Sequence, residues 1–323
     1  MTFWLIAVIL VSLVLTAVFG RIFIPVLKSK KLGQPIREIG PRWHKSKEGT
    51  PTMGGIFFIA ASGIALLLSL FACEKEELLR LLVNYLFAFF LGLVGILDDG
   101  KKLLQHKNDG LKAYQKFLLQ LIISAVYLFV SAKLGYIDTN VYIPFFGADI
   151  QLGKIYYALA LIFICGTVNA VNLTDGVDGL AASVTGIICV YFAAIGIIGK
   201  SSAVAFLSCA IFGGCIGFLV YNANPARVFM GDTGSLFLGG IVVALAFSVG
   251  SPLIVIVCGA VYFIEELSVI IQVSFFKITG GKRLFKMTPF HHHLELCGWG
   301  EKKIVLWASV LTTLLSALSF FFS

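Results

Sequence analysis

Acidic residues and histidines recur at four places in this 323-residue chain, each beside a long apolar segment. They are Asp98 and Asp99 in ILDDGKK, Asp175 and Asp178 in NLTDGVDGLA, Asp232 in FMGDTGS, and His291, His292 and His293 in TPFHHHLE. Carboxylate oxygens are the ligands that Mg²⁺ prefers, and lysines with backbone N–H groups suit phosphate oxygens. Metal and cations would neutralise charge on a transferred phosphoryl group. Brought together, these segments suit a metal-assisted reaction of a phosphate compound.

The segments between these motifs are apolar enough to cross a membrane. The chain is 59% hydrophobic and 13% charged, whereas a soluble domain is usually about 45–50% apolar and about 25% charged. A soluble fold could not cover so much apolar surface with so few charges. We therefore expect an all-α integral membrane protein, with residues 1–323 forming a single polytopic membrane domain.

Ten segments meet the requirement of about 20 mainly apolar residues for a transmembrane helix. They are 3–27, 53–72, 78–97, 115–134, 155–171, 177–198, 203–221, 235–250, 252–276 and 303–322. Most of the 25 Lys and Arg residues fall in the loops after odd-numbered spans, which places those loops in the cytoplasm and both termini outside. The outside loop 135–153 alternates in polarity and contains glycine, which favours a short periplasmic β-hairpin.

This orientation puts all four motif segments at the cytoplasmic face of the membrane. Asp98 and Asp99 would end the third span, and Asp178 would lie in the first turn of the sixth. Asp232 and the histidines would lie in the loops before the eighth and tenth spans. We therefore expect an active-site cleft at the cytoplasmic face.

The acidic pair is poorly explained as a simple polar helix end. A carboxylate at a helix C-terminus faces the negative end of the helix dipole. Lys102 follows Asp98 by four residues, so the two can pair on one helix face. Asp98 and Asp99 point about 100° apart on an ideal helix, so only one is expected to face a cleft fully.

The other motifs have ordinary alternatives when each is taken alone. Asp175 is a natural turn residue, and the glycine-flanked GDTGS is a weak anion-binding signal. Three consecutive histidines do not share a face on a helix or a strand, which disfavours a zinc site and favours contact with phosphate or sugar. The chain has no Walker A pattern, no H-E-x-x-H, no kinase motif set and no C-x-x-C.

The ordered set of motifs resembles that of the polyprenyl-phosphate N-acetylhexosamine-1-phosphate transferases. LDDGKK, NLTDGVDGLA, FMGDTGS and TPFHHHLE occur in the order and on the membrane side seen in that superfamily, and the resemblance covers the whole chain. The loop KEGTPTMGG and the intact triple histidine are most similar to its phospho-N-acetylmuramoyl-pentapeptide-transferase branch.

This resemblance implies a reaction and a location. Phospho-MurNAc-pentapeptide would pass from UDP-MurNAc-pentapeptide to undecaprenyl phosphate, giving UMP and the first lipid-linked peptidoglycan intermediate. The resemblance also implies a Mg²⁺ cofactor, contact with membrane lipid, a homodimer, and a multi-pass location in the bacterial inner membrane with the active site facing the cytoplasm. The basic inner surface fits an anionic nucleotide sugar and an anionic lipid head, and no nucleic-acid partner is expected.

The resemblance further implies roles for individual residues. Asp232 matches the Mg²⁺ ligand, and Asp98 and Asp99 match the acidic pair near the lipid phosphate, so these three are the implied catalytic residues. The implied substrate-binding residues are Lys47, Lys102, Asn172, Asp175, Asp178, Phe229, His291, His292 and His293. Among them, Phe229 is a candidate platform for the uracil ring.

Two mechanisms and two other functions stay open at this stage. The lipid phosphate could attack directly after an aspartate takes its proton, or an aspartate could first form a covalent phospho-enzyme. Because the second pKa of a phosphate monoester lies near 6, we weigh charge and metal binding above general-base catalysis for the acidic pair. The alternative functions are a polyprenyl-phosphate GlcNAc-1-phosphate transferase and a non-enzymatic transporter, the latter requiring ionisable residues near span centres.

Overall fold

The protein is a bundle of helices with two short strands. The computed structural model describes residues 1–29, 47, 49–105, 110–143 and 147–321. The helices are α1 (Thr2–Ser29), α2 (Gly55–Leu66), α3 (Lys75–Gln105), α4 (Ala113–Lys133), α5 (Ile155–Thr174), α6 (Leu180–Ile198), α7 (Ser202–Asn222), α8 (Gly231–Ser248), α9 (Ile254–Cys258), α10 (Ala260–Ile278), α11 (Phe290–Leu296) and α12 (Glu301–Ser319). The strands are β1 (Asn140–Ile143) and β2 (Ala148–Gln151), which pair in antiparallel fashion.

Eight of the described helices are long and apolar enough to cross a membrane. They are α1, α3, α4, α5, α6, α7, α8 and α12. An all-α membrane protein is therefore confirmed, whereas a count of ten spans stays a prediction. The other two predicted spans are interrupted: α2 continues only as a 3-10 turn over Leu67–Phe71, and the ninth segment is divided at Gly259 between the five-residue α9 and the 19-residue α10.

Helix α8 lies at the centre of the bundle and sets the position of α3. Every residue of α8 from Thr233 to Phe247 is buried. Glycine lets the two helix backbones touch, because a Cβ at Gly95 of α3 would overlap the carbonyl of Asp232, and one at Gly240 would lie 2.8 Å from the Cα of Ala88. This close approach fixes the acidic residues of the two helices relative to each other.

Polar side chains tie the apolar helices together. The Nδ2 of Asn84 in α3 donates to the Oγ of Ser248 at 2.7 Å, and the hydroxyl of Tyr127 in α4 donates to the Oδ1 of Asn84 at 3.1 Å. The Nδ2 of Asn169 in α5 donates to the Oε1 of Gln120 in α4 at 2.8 Å. Because an unpaired polar group is costly in an apolar interior, these pairs fix the register of α3, α4, α5 and α8.

The structure corrects three predicted positions relative to helix ends. Asp98 and Asp99 do not end α3, which continues to Gln105. Asp232 lies in the first turn of α8 and not in the preceding loop. Asp178 precedes α6, which begins only after Gly179, a residue with a φ of +81° that favours glycine. In each case hydropathy located the apolar segment but not the ends of the helix.

Candidate active site

Three carboxylates from two helices form the acid cluster, which consists of Asp98, Asp99 and Asp232. Their nearest oxygen atoms all lie within 4.8 Å of one another. Asp98 and Asp99 are 3% and 0% exposed, so both are removed from solvent. Asp232 lies in the first turn of α8, where the helix dipole favours a negative charge. Residues that are 130 or more positions apart in the chain therefore form one site.

Two lysines hold the acid cluster together. The Nζ of Lys102 lies 2.6 Å from an oxygen of Asp98, 2.6 Å from one of Asp232 and 3.6 Å from one of Asp99. The Nζ of Lys116 in α4 lies 3.2 Å from Asp232. The predicted pairing of Asp98 with Lys102 is therefore present, and Lys102 also explains why α3 can continue past two adjacent carboxylates.

One buried oxygen in the acid cluster has no hydrogen-bond partner in the described part of the chain. The Oδ2 of Asp99 accepts from the backbone N and the Oγ1 of Thr233, at 2.9 and 2.8 Å, but its Oδ1 accepts no hydrogen bond. The Nζ of Lys102 lies 3.6 Å from this Oδ1, beyond hydrogen-bond distance, and a buried charged oxygen without a hydrogen bond is costly. Three clustered carboxylates with one oxygen that accepts no hydrogen bond therefore fit a hard divalent cation such as Mg²⁺.

One member of the acid cluster, Asp232, lies in the wall of a cavity of about 250 Å³. Lys102 and Asp232 line one part of this cavity, and Lys47 and Phe229 line others. The remaining lining residues are Thr52, Asn172, Asp175, Gly176, Val177, Asp178, Asn222 and Gly231. A cavity with cations, carboxylates and one aromatic ring can accommodate a phosphate compound that also carries a flat base.

Asn172 connects the cavity to the acid cluster. Its Nδ2 lies 2.8 Å from the Oδ1 of Asp232 and 2.7 Å from the Oγ of Ser235, both in α8. Asp175 follows in the turn after α5, where burial, together with the charges of Asp232, Asp99 and Asp178, raises its pKa well above the usual range. The end of α5 and the turn after it therefore place the Asn172 amide and the Asp175 carboxyl group beside the charged acid cluster.

Lys47 and Asp178 also line the cavity, and they form an ion pair there. The Nζ of Lys47 lies 2.7 Å from Asp178 and 2.7 Å from Glu301 in α12. The second oxygen of Asp178 accepts from the Nδ2 of Asn224 at 3.1 Å and from the backbone N of Ala226 at 2.9 Å. Because both oxygens of Asp178 are engaged, its carboxylate orients Lys47 and the loop after α7.

The loop that carries Phe229 is held by backbone hydrogen bonds. The N of Phe229 donates to the carbonyl of Pro51 at 2.8 Å, and the N of Gly54 donates to the carbonyl of Phe229 at 2.9 Å. Gly231 follows with a φ of +74°, and a Cβ there would lie 2.5 Å from the Oδ2 of Asp99. Glycine is therefore required where this loop approaches the acid cluster.

The three histidines lie in the first half of the short helix α11, which begins after Pro289, and not in a loop as predicted. His291 is 1% exposed, and its ring contacts Gly176 in the cavity wall. His292 pairs with Glu295 at 2.7 Å, and His293 stacks on Phe290 with ring centroids 5.7 Å apart. The structure therefore brings one histidine to the cavity and places the other two in contacts within or beside α11.

Sequence comparisons agree with the motif pattern. The family profile described as "Glycosyl transferase family 4" matches residues 81–250, and the one described as "Phospho-N-acetylmuramoyl-pentapeptide-transferase signature 1" matches residues 47–59. A protein of Clostridium botulinum (strain Eklund 17B / Type B) with the name phospho-N-acetylmuramoyl-pentapeptide-transferase is 45% identical over 96% of this chain and 94% of its own. The chain belongs to the phospho-N-acetylmuramoyl-pentapeptide-transferase family. Proteins of the same name from Heliobacterium modesticaldum and Clostridium novyi are 48% and 44% identical, over 90% and 97% of this chain and 90% and 94% of their own lengths.

Several side chains in this transferase site were missed by sequence reasoning. They are Thr52, Lys116, Thr233, Ser235 and Glu301. Thr233 and Ser235 lie within the quoted motif GDTGS, so their hydroxyls were a signal that could have been used. Lys116 and Glu301 lie in stretches with no motif, and only the tertiary structure brings them to the site.

Replacement of Glu301 by alanine is expected to raise the KM of this transferase for its nucleotide substrate. One oxygen of Glu301 holds both the Nζ of Lys47 and, at 3.2 Å, the backbone N of Asp178. Loss of a hydrogen bond worth about 1 kcal/mol would raise KM by roughly 3–10-fold with a smaller change in kcat. Steady-state kinetics test this, with Lys302→Ala in the same helical turn as the control, because Lys302 is exposed. An unchanged KM in folded Glu301→Ala protein would contradict it.

Proposed function

We propose that this protein transfers phospho-MurNAc-pentapeptide from UDP-MurNAc-pentapeptide to undecaprenyl phosphate, releasing UMP and the first lipid-linked peptidoglycan intermediate. The observation that carries the proposal is the acid cluster, whose member Asp232 lines a cavity that also contains Lys47 and Lys102, in a chain that belongs to this transferase family over nearly its whole length. The chain is accordingly a phospho-sugar transferase of cell-wall synthesis.

The lining of the cavity suggests how the nucleotide sugar would lie. Phe229 offers a ring on which the uracil can stack. Lys47 and Lys102 lie in different parts of the wall and carry the positive charge that a diphosphate needs. Asn172 and Asp175, between them, add hydrogen-bonding groups for phosphate or ribose oxygens. The diphosphate would then lie beside Asp232.

Mg²⁺ is the cofactor that we propose for the acid cluster. Asp232 would hold it with Asp98 and Asp99, whose oxygens lie close enough to share one ion. When bound, Mg²⁺ would supply positive charge for the phosphoryl group under transfer. Lys102 and Lys116 would compensate the remaining negative charge of the carboxylates.

The acidic pair would bind metal and hold Lys102 in place more than it would act as a strong base. A phosphate monoester is largely dianionic at pH 7, because its second pKa is near 6, so it is already a nucleophile. Asp98 is held by the backbone N of Leu111 at 2.8 Å and by Lys102, and Asp99 by Thr233. These contacts hold both carboxylates in place while an oxygen of the lipid phosphate attacks the β-phosphorus, which carries the sugar, and the bond from that phosphorus to the bridging oxygen breaks to release UMP.

The placement of the site on the helices supports a cytoplasmic active site in the bacterial inner membrane. Site residues lie near the C-terminal ends of α3 and α5 and near the N-terminal ends of α4, α8 and α12. Helices that alternate in direction bring those ends to one membrane face. On this basis we propose a single domain of ten spans, with both termini and the paired strands outside. The resemblance to the transferase family also leads us to propose a homodimer.

Release of UMP by the purified protein tests the proposed function. The enzyme in detergent, with Mg²⁺, UDP-MurNAc-pentapeptide and undecaprenyl phosphate, should release UMP only when both substrates are present. A parallel reaction with UDP-GlcNAc should release far less. Equal or greater release from UDP-GlcNAc would assign a different sugar. Substrate flux into liposomes without UMP release would indicate a transporter.

A further inference from the structure

Glu265 of α10 holds His291 through two hydrogen bonds to a single carboxylate oxygen. The Oε2 of Glu265 lies 3.0 Å from the Nδ1 of His291 and 3.1 Å from its backbone N. Both side chains are buried: 3% of the Glu265 side chain and 1% of the His291 side chain are exposed. Because a carboxylate oxygen only accepts hydrogen bonds, the contact requires a hydrogen on Nδ1.

The other ring nitrogen of His291 is buried and has no hydrogen-bond partner among residues 1–29, 47, 49–105, 110–143 and 147–321. The Nε2 points at Gly176, where a Cβ would overlap the ring. Gly176 lies between Asp175 and Val177, and all three line the cavity. Buried polar atoms are normally hydrogen-bonded, so an unpartnered one beside a binding cavity indicates a group that finds its partner in the ligand.

We propose that Glu265 is a positioning residue for the transfer reaction, acting through His291. Glu265 fixes the ring with Nδ1 protonated, which leaves Nε2 as a hydrogen-bond acceptor beside Gly176 in the cavity wall. The occupant is a nucleotide sugar, and this identity rests on the proposed function. Because phosphate oxygens also only accept, Nε2 would accept from a hydroxyl or an N–H of the occupant.

The neighbouring Glu266 provides a matched control on the same helix. It carries the same carboxylate, lies closer to α5, with its Oε2 3.9 Å from the place of a Cβ on Gly166, and is not bonded to His291. A purely structural clamp between α10 and α11 would use the same two hydrogen bonds, so the tautomer shows that the contact is made but not what it does. A loss of kcat that depends on His291, in variants whose unfolding midpoint matches that of the wild type, separates positioning from support.

Nitrogen NMR of the histidine rings tests the tautomer directly. Full-length enzyme labelled with ¹⁵N-histidine is measured at alkaline pH, and the His291 signals are those missing from His291→Asn. We expect Nδ1 protonated and Nε2 unprotonated in the wild type and in Glu266→Gln, and loss of this preference in Glu265→Ala. Nε2 protonated in the wild type, or identical ring signals in Glu265→Ala, would overturn the proposal. This readout does not depend on enzyme activity, so a failure of the proposed function is recognised separately.

Kinetics test whether Glu265 acts through His291. Loss of the oriented contact in Glu265→Ala should lower kcat at least about tenfold, with a smaller change in KM, and Glu265→Gln, which retains an acceptor, should fall in between. Glu266→Gln should stay within about twofold of the wild type. In a His291→Asn background, Glu265→Gln should cause no further loss. The same loss with and without His291 would overturn the proposal, and if Glu265→Ala does not fold, the Gln variant carries both tests.

Discussion

Asp232→Asn is expected to lower kcat for UMP release by at least about a hundredfold to a thousandfold, the range typical for loss of a charge that stabilises a transition state. Of the three carboxylates, Asp232 has the most exposed side chain, at 17% compared with 4% for Asp98 and 0% for Asp99. It is also the one that lines the cavity. The amide keeps the size and the hydrogen bond to Asn172 but removes the charge that a divalent cation needs.

The measurement is UMP release at saturating substrates, together with Mg²⁺-dependent thermal stabilisation in detergent. Both signals should be lost in Asp232→Asn, whereas the protein should stay folded; its unfolding midpoint without metal should fall, because the ion pairs with Lys102 and Lys116 are lost. Asp149→Asn is the control, because Asp149 is an exposed carboxylate on β2, away from the acid cluster. Near-normal turnover by folded Asp232→Asn would contradict the assignment of Asp232 to the metal.

The sequence predicted the membrane helices because apolar length is a local property. The segment 203–221, for example, needs no knowledge of its neighbours to be recognised, and it matches α7 within one residue at each end. The end of α3 was missed because Asp98 and Asp99 interrupt the apolar pattern, whereas the helix continues when Lys102 neutralises them on the same face. Hydropathy therefore predicts the centre of an apolar helix better than an end whose position depends on ion pairs between side chains.

The motifs predicted which segments meet, but not how each side chain is used. Asn172 and Asp232 were both expected at the site, and their side chains lie 2.8 Å apart. The three histidines were treated alike, because a run of identical residues gives no information about direction. Only the start of α11 after Pro289 determines which ring points at Gly176. Lys116 reaches Asp232 through the register of α4 and α5, which is a tertiary property with no local pattern.

Lys102→Gln is expected to destabilise the metal-free enzyme by about 3 kcal/mol, the order of loss when one partner of a buried ion pair is removed. Its Nζ contacts all three members of the acid cluster, two of them at 2.6 Å. Without it, Lys116 is the one lysine among the residues described that still forms an ion pair with the three carboxylates of the acid cluster. A divalent cation would take over that compensation, so Mg²⁺ should raise the unfolding midpoint more in the variant than in the wild type.

Activity should respond differently from stability, because Lys102 also lines the cavity. With Mg²⁺ present the folded variant should still release UMP at least about tenfold more slowly, since a charge-assisted contact to the diphosphate is lost. Lys101→Gln is the matched control, because Lys101 is the adjacent residue of α3 and does not line the cavity. If Mg²⁺ raised the unfolding midpoint of the wild type and the variant equally, Lys102 would not compensate the same carboxylate charge as the metal. Recovery of stability without recovery of turnover would separate its two roles: holding the carboxylates together in the absence of metal, and binding the substrate when metal is present.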